Sequence, residues 1–409
     1  MLPSSKTDDS DSITGTDSET SGWKRNLLII SISQFIAMIG MSSVIPFMPF
    51  FVKELGITSP DEANIWSGLI FAGPYFLSII ATPLWGSIGD KYGRKLMIVR
   101  AVFGLFIAVF LMGFVQNVYQ LLALRIFQGA ISGMIASALA FVSANTPTNK
   151  SGYAIGILQS SLSAGNIIGP FVGGLIADLA GIRSVFIIVS LMTFIAGILV
   201  LFMVKETRKP QNTANEYTII NNLKYVYENR GIRFILILVV LSQAGINYTN
   251  PIFPFYVETL NAPKQLLSTI TGALLAVVGL MSIIFSPIWG RRNDRKDYKK
   301  TVRISSFMIA IAAFAHVIVN DYLLLFPVRA VAGIFFAAVL PSLYSALNRL
   351  SPHDNKGGVM GIASSANLVG TLVGYTTCGY IASLFGLKSP FIISGLILLT
   401  VSFLVYRKK

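Results

Sequence analysis

The chain has 409 residues, 54% hydrophobic and only 12% charged, with a formal net charge of +14 and a mean hydropathy of +0.68. A soluble domain carries roughly a quarter charged residues, so this composition leaves too little polar surface to cover a water-soluble globule. One cysteine, Cys378, makes no internal disulfide; His316 and His353 make no metal site by themselves; and no Gly-rich loop ends in Gly-Lys-Ser/Thr, which argues against an ATP-driven pump.

In chain order, Met1 to Gly22 is rich in Ser, Thr and Asp and predicts a disordered tail. The first apolar block, 26–50, is too long for a removable signal sequence and follows too long a polar tail. Blocks at 64–86, 96–115, 119–143, 154–178 and 184–204 complete a six-span unit over 23–204. A polar, basic linker occupies 205–232, where Ile219, Ile220, Leu223, Val226 and Tyr227 recur at helical spacing. That stripe fits a short amphipathic helix on the membrane surface or a solvated helix packed on protein. Blocks at 233–257, 266–289, 301–319, 322–346, 358–383 and 389–406 form a second unit over 233–409. Each block is about long enough to cross ~30 Å of hydrocarbon at 1.5 Å per residue. Lipid offers no water to satisfy backbone groups, so all must be helices. The expected fold class is all-α integral membrane, with 12 transmembrane helices.

The two units are copies. An offset of 204–206 residues brings Pro49-Phe50-Phe51-Val52-Lys53-Glu54-Leu55 onto Pro254-Phe255-Tyr256-Val257-Glu258-Thr259-Leu260 and Pro83-Leu84-Trp85-Gly86 onto Pro287-Ile288-Trp289-Gly290. The same offset sets Asp90, Arg125, Gly129, Gly165, Gly169 and Gly174 over Asp294, Arg329, Gly333, Gly370, Gly374 and Gly379. Two like-oriented, pseudo-symmetric six-helix bundles are therefore expected, with a cleft between them. Lys and Arg gather in alternate loops, among them Lys91, Arg94, Lys95, Arg291, Arg292 and Lys300, while the intervening loops hold only Lys53, Arg183, Lys264 and Lys388. This asymmetry places both termini in the cytoplasm. The basic balance marks topology and attraction to anionic lipid, not nucleic acid.

Several elements carry chemistry. Gln34, Phe35, Met38 and Met41 lie on the first span, whose outer end Pro46 and Pro49 loosen. The loop after the second span reads Gly86-Ser87-Ile88-Gly89-Asp90-Lys91-Tyr92-Gly93-Arg94-Lys95: glycines for a tight turn, a carboxylate able to accept from a helix N-terminus, and cations for it or for lipid phosphate. Arg125 and Arg329 interrupt spans four and ten, where a buried charge costs ~3 kcal/mol or more. Each either faces a cavity or lies near enough to a helix end to bond carbonyls. On span five, Gly165, Gly169, Gly173 and Gly174 form a groove for close helix approach and Pro170 favours a bend. Further cavity candidates are Gln159, Asn166, Gln243, Asn247, Phe253, Phe336, Tyr344 and Asn367.

The Gly86–Lys95 segment resembles the signature loop of the major facilitator superfamily, and the likeness covers nearly the whole chain. It implies that Gly86, Asp90, Gly93 and Arg94 form an inner gate whose aspartate meets span eleven. Asp294 echoes this gate, but no glycine stands where Gly93 would be matched. Arg125 with Gln128 and Gly129 matches the superfamily's span-four motif, implying a role in coupling or substrate contact. Gly-x-x-x-Gly-Pro-x-x-Gly-Gly at 165–174 resembles the antiporter motif of the drug/proton antiporter branch, which favours export.

The acids inform by position: all 18 Asp and Glu fall in the tail, in loops or near helix ends. Proton coupling thus rests on the resemblance, with Glu54, Asp178 and Glu258 as candidate sites. A cleft that holds Arg125, and Arg329 where it too faces inward, but no carboxylate should accept neutral, zwitterionic or anionic amphiphiles and repel cations. The expected protein is a monomeric efflux transporter in the cell membrane that exchanges drug-like amphiphiles for protons, with lipid around it, no metal, no cofactor and no enzymatic activity. The alternatives are a dedicated exporter of one endogenous metabolite, such as a siderophore or sugar derivative, and a non-transporting membrane sensor.

Overall fold

The structure is a computed structural model describing residues 13–147, 150–206, 219–295, 298–351 and 356–407, with the side chains of 13–21, 90, 219–221, 293–295 and 356 outside the description. The described residues form helices and no strand: α1 (Ile13–Ser43), α2 (Met48–Glu54), α3 (Pro60–Tyr92), α4 (Arg94–Met112), α5 (Val118–Ala130), α6 (Met134–Asn145), α7 (Ser151–Ala180) and α8 (Ile182–Met203), then α9 (Ile219–Glu228), α10 (Arg230–Asn247), α11 (Phe253–Glu258), α12 (Leu267–Arg295), α13 (Tyr298–Ile318), α14 (Leu325–Leu350), α15 (Lys356–Phe385) and α16 (Ser389–Arg407). Among the described residues 12 segments are long and apolar enough to cross a membrane.

Three predicted spans are interrupted. The first leaves the helix after Ser43 and resumes as α2, with Pro49 in the opening turn of α2, where its missing N–H costs nothing. The seventh breaks likewise between α10 and α11, with Pro254 in the opening turn of α11. The fourth breaks at Gly133, whose φ of +103° suits glycine and few others. The expected disordered tail to Gly22 is corrected over Ile13–Gly22, which continues α1; a helix nucleated in the span propagates outward one hydrogen bond per residue. Residues 1–12 of that tail and 207–218 of the linker lie outside the described residues. The linker helix α9 packs on α10 and α15, burying Val226 and leaving Leu223 and Tyr227 exposed.

The duplication has a packing form. In α3, Trp85 Nε1–H donates to the Ala130 carbonyl at 2.7 Å; in α12, Trp289 donates to Ile334 at 2.8 Å. Ser78 and Ser282 donate to the carbonyls of Gly129 and Gly333 at 3.3 and 3.0 Å. A Cβ on Gly129 would lie 1.9 Å from the Pro74 oxygen, and one on Gly333 would lie 2.6 Å from the Val278 oxygen, so glycine is required at both crossings. Rings pack each bundle near the α2 and α11 breaks: Phe47 and Phe51 lie 5.5 and 5.1 Å from Phe186, and Tyr256 lies 4.6 Å from Phe391.

The two sets of helices meet chiefly through α7 on α12, α3 on α15 and α2 on α11. These contacts occupy one end of the molecule and reach its middle. A Cβ added to Gly68, Gly174, Gly272, Gly279 or Gly379 would meet the facing helix within 2.8 Å. Nearer the end that carries the basic loops, Cβ atoms on Gly86, Gly156, Gly290 and Gly361 of the same four helices would meet open space. The molecule is therefore sealed at one end and open at the basic end.

Candidate translocation crevice

The sealed end is closed by polar and aromatic pairs. Asp178, in the last turn of α7, accepts the backbone N–H of Ser268 and Thr269 at 3.2 and 2.7 Å and the Thr269 hydroxyl at 2.7 Å. A carboxylate there caps the start of α12 and meets the positive end of its dipole. Lys53 pairs with Glu258 at 3.0 Å, and Phe50 lies 5.8 Å from Phe255. The ion pair is partly exposed and worth ~1 kcal/mol or less; the cap and the glycine seams hold the closure.

Below this seal lies an aromatic and amide floor. The Tyr375 ring of α15 stands edge-on to Phe71 and Tyr75 of α3, each at 5.6 Å. Asn250 Nδ2–H donates to the Tyr375 hydroxyl at 3.3 Å, and Asn247 donates to Gln243 Oε1 at 3.1 Å and to the Thr371 hydroxyl at 3.4 Å. Arg125 is 7% exposed and donates from Nε to the Ile70 carbonyl at 3.1 Å and from Nη1 to Gln128 Oε1 at 2.9 Å. The phenols of Tyr75 and Tyr375 lie within its electrostatic reach.

Toward the basic end, α1 and α7 wall a cavity of about 610 Å³ lined by Phe35, Tyr153, Gly156, Ile157, Ser160, Ser161 and Ala164. The α7 residues follow helical spacing on one stripe, which continues to Ile167 and Phe171, where α7 meets Gly279 and Gly272 of α12. The cavity therefore opens where α7 and α12 part. Its lining offers two aromatic rings, three hydroxyls (Tyr153, Ser160 and Ser161) and no carboxylate, lysine or arginine, which suits an uncharged, amphiphilic guest.

The other predicted residues are distributed as follows. Phe35 lines this cavity, while Met38 faces Gly165 within the α1–α7 seam. Met41, Gln159 and Asn166 are exposed, and Gln34 is fully buried with neither amide atom bonded among the described residues. Gly165, Gly169 and Gly173 let α1 approach, since Cβ atoms there would lie 2.5, 2.0 and 2.1 Å from Phe35, Ser42 and Ser43. Gly174 and Pro170 instead touch α12, at Ser268 and Gly272. The glycine motif thus serves two seams, one inside its bundle and one between bundles. Phe253 is fully buried, with the Arg329 guanidinium 3.6 Å above its ring. Arg329 Nε and Nη2 have no hydrogen-bond partner among the described residues. Phe336 packs in the second bundle, Tyr344 donates to the Ala363 carbonyl at 3.4 Å, and the Asn367 carbonyl accepts from Thr371 at 3.1 Å. His316 stacks 4.9 Å from Phe391.

In the signature loop, Gly86 is exposed and Gly93 takes a φ of +109° between α3 and α4. Arg94 Nη1 donates to the Ala140 carbonyl at 2.6 Å. The side chains of Asp90 and Asp294 lie outside the described residues. Sequence reasoning missed Glu206, which accepts the backbone N–H of Arg94 at 2.9 Å and of Lys95 at 3.2 Å, capping α4 from the end of α8. A lone acid in a basic stretch gave no local signal. The Lys53–Glu258 pair did leave one, because the two residues are aligned repeat equivalents of opposite charge.

The model of the Major Facilitator Superfamily matches residues 30–230 and 235–409. The chain is 31% identical over 373 residues to a Multidrug resistance protein MdtG from Proteus mirabilis (strain HI4320), covering 90% of this chain and 92% of that one. It is 30% identical over 380 residues to a second MdtG, from Rahnella sp. (strain Y9602), covering 92% of each. Among solved structures it resembles a mutant form of the nucleoside transporter NupG, with a TM-score of 0.79, 13% identity and coverage of 93% and 98%. It also resembles a D-xylose-proton symporter, with a TM-score of 0.76, 16% identity and coverage of 93% and 96%. This chain belongs to the Major Facilitator Superfamily. It is a multi-pass membrane transporter and not an enzyme.

Proposed function

We propose that this protein exports drug-like amphiphilic molecules across the cell membrane in exchange for protons, its units 23–204 and 233–409 rocking about the crevice. In this reading the basic loops and both termini face the cytoplasm, so the structure is an inward-open state ready to load. One observation carries the reading: an uncharged cavity of about 610 Å³ opens toward the basic end while the opposite end is sealed. The resemblance to the MdtG relatives, whose name is multidrug resistance protein, supports export of small molecules. Coupling to protons rests on the antiporter motif at Gly165–Gly174. The acids nearest the moving seam are Asp178 and Glu258.

The cavity lining offers no carboxylate to offset the desolvation of a cation, and Arg125, buried in the aromatic and amide floor, adds positive potential to the interior. Neutral, zwitterionic and anionic molecules fit this field better. Reconstitution in liposomes with an imposed pH gradient tests both parts. Flux of several chemically unrelated neutral or anionic compounds, abolished when the gradient is collapsed, is the expected result. Gradient-independent flux, or lipophilic cations as the best substrates, would contradict it.

A further inference from the structure

A second cavity lies away from the crevice, on the outer surface of the bundle. Between α13 and α16 a groove of about 530 Å³ is lined by Ile304, Phe307, Met308, Leu399, Phe403 and Tyr406, with Ser402 in its floor and Arg303 at its rim. The floor is tied down, since the Ser402 hydroxyl donates to the Arg303 carbonyl at 3.0 Å. The walls are open to the surroundings: Phe307, Phe403 and Tyr406 are 43%, 58% and 63% exposed. In a membrane span those surroundings are lipid.

Arg303 gives the groove a direction. It lies five residues into α13, about 7–8 Å from the start of the helix, at the level where the last turn of α16 ends. Its guanidinium sits 4.7 Å from the Tyr406 ring centroid and makes no hydrogen bond or ion pair among the described residues. Tyrosine and arginine together at this depth mark the headgroup layer. Lys300 and Arg407, both exposed, stand at the same end. An apolar trough that ends under an unpaired cation, beside two further cations, complements one kind of molecule: an acyl chain with a negative headgroup.

We propose that this groove is a binding site for an anionic glycerophospholipid, its acyl chain laid along Phe307, Met308, Leu399 and Phe403 and its phosphate on Arg303. The site is separate from the crevice, and α13 and α16 each contribute one wall, so an occupied groove clamps the two helices at the basic end.

The test is native mass spectrometry of the full-length protein released from vesicles of equal phosphatidylglycerol and phosphatidylethanolamine. Wild-type protein retains phosphatidylglycerol in preference, through delipidation steps that strip bulk lipid. R303Q reduces that preference about fivefold, the effect of one interfacial cation. R303K keeps most of it, and K150Q, the same charge change at an exposed site elsewhere on the basic end, leaves it unaltered. A thermal melt confirms that each variant is folded. Equal retention of the two lipids by wild type, unchanged preference in R303Q, or an equal loss in K150Q would overturn the proposal.

Discussion

Asp178 stands in the last turn of α7 and directs its carboxylate to another helix, capping α12 through Ser268 and Thr269. Asn in its place keeps the acceptor oxygen but loses the charge facing the helix dipole, a change of ~1 kcal/mol. D178N is expected to populate the form open at this end about fivefold more. The reporter is a cysteine at Asn64, which is 5% exposed and touches Gly379 across the seam, in a Cys378→Ser background. Its modification by a membrane-impermeant maleimide should quicken about fivefold, and an unchanged rate would count against the latch. Arg125 and Arg329 teach a related lesson. Sequence assigns both a costly charge, yet only the first has a glutamine three residues on; Ala332 stands in the matching place, and Arg329 rests on Phe253 instead. The arginine positions were legible in the sequence. Their partners depend on which helices the fold sets side by side, so they were not.

At the scale of elements, long apolar blocks declare helices because lipid permits nothing else, and all 12 spans are present. Breaks within spans were only partly legible. Pro46 and Pro49 announce the loosened outer end of span one, since each proline removes an N–H donor; the matching break of span seven, with Pro254 opening α11, was not read from the sequence. Gly133 announces nothing, being one of 35 glycines in the chain. A Cβ at Gly133 would have room, 3.5 Å from Trp85, so the cost of alanine there is conformational, ~1–2 kcal/mol. G133A should lower the melting temperature of the purified protein measurably. G361A, at a helical glycine facing open space, should leave it unchanged or raised. Equal melting temperatures for the two variants would show that the break is not enforced by that φ.

For the whole molecule, the internal repeat foretold two like-facing bundles with a cleft, and the echoed tryptophan, serine and glycine contacts of α3 and α12 are its physical trace. Which end is open could not be read from sequence, because it depends on the balance of seams rather than on any one motif. The sealed end is held by the Asp178 cap and close glycine crossings; the open end shows an uncharged wall. If this crevice alternates, the two ends must move in opposite senses. Spin labels at Ser87 and Gly357 report the basic end, and labels at Glu62 and Leu384 report the other, all exposed positions on α3 and α15. Electron–electron distance measurement on proteoliposomes, with and without a transported compound and a pH gradient, follows both pairs. The account predicts that the first distance shortens as the second lengthens; two distances that stay fixed, or that change in the same direction, would contradict it.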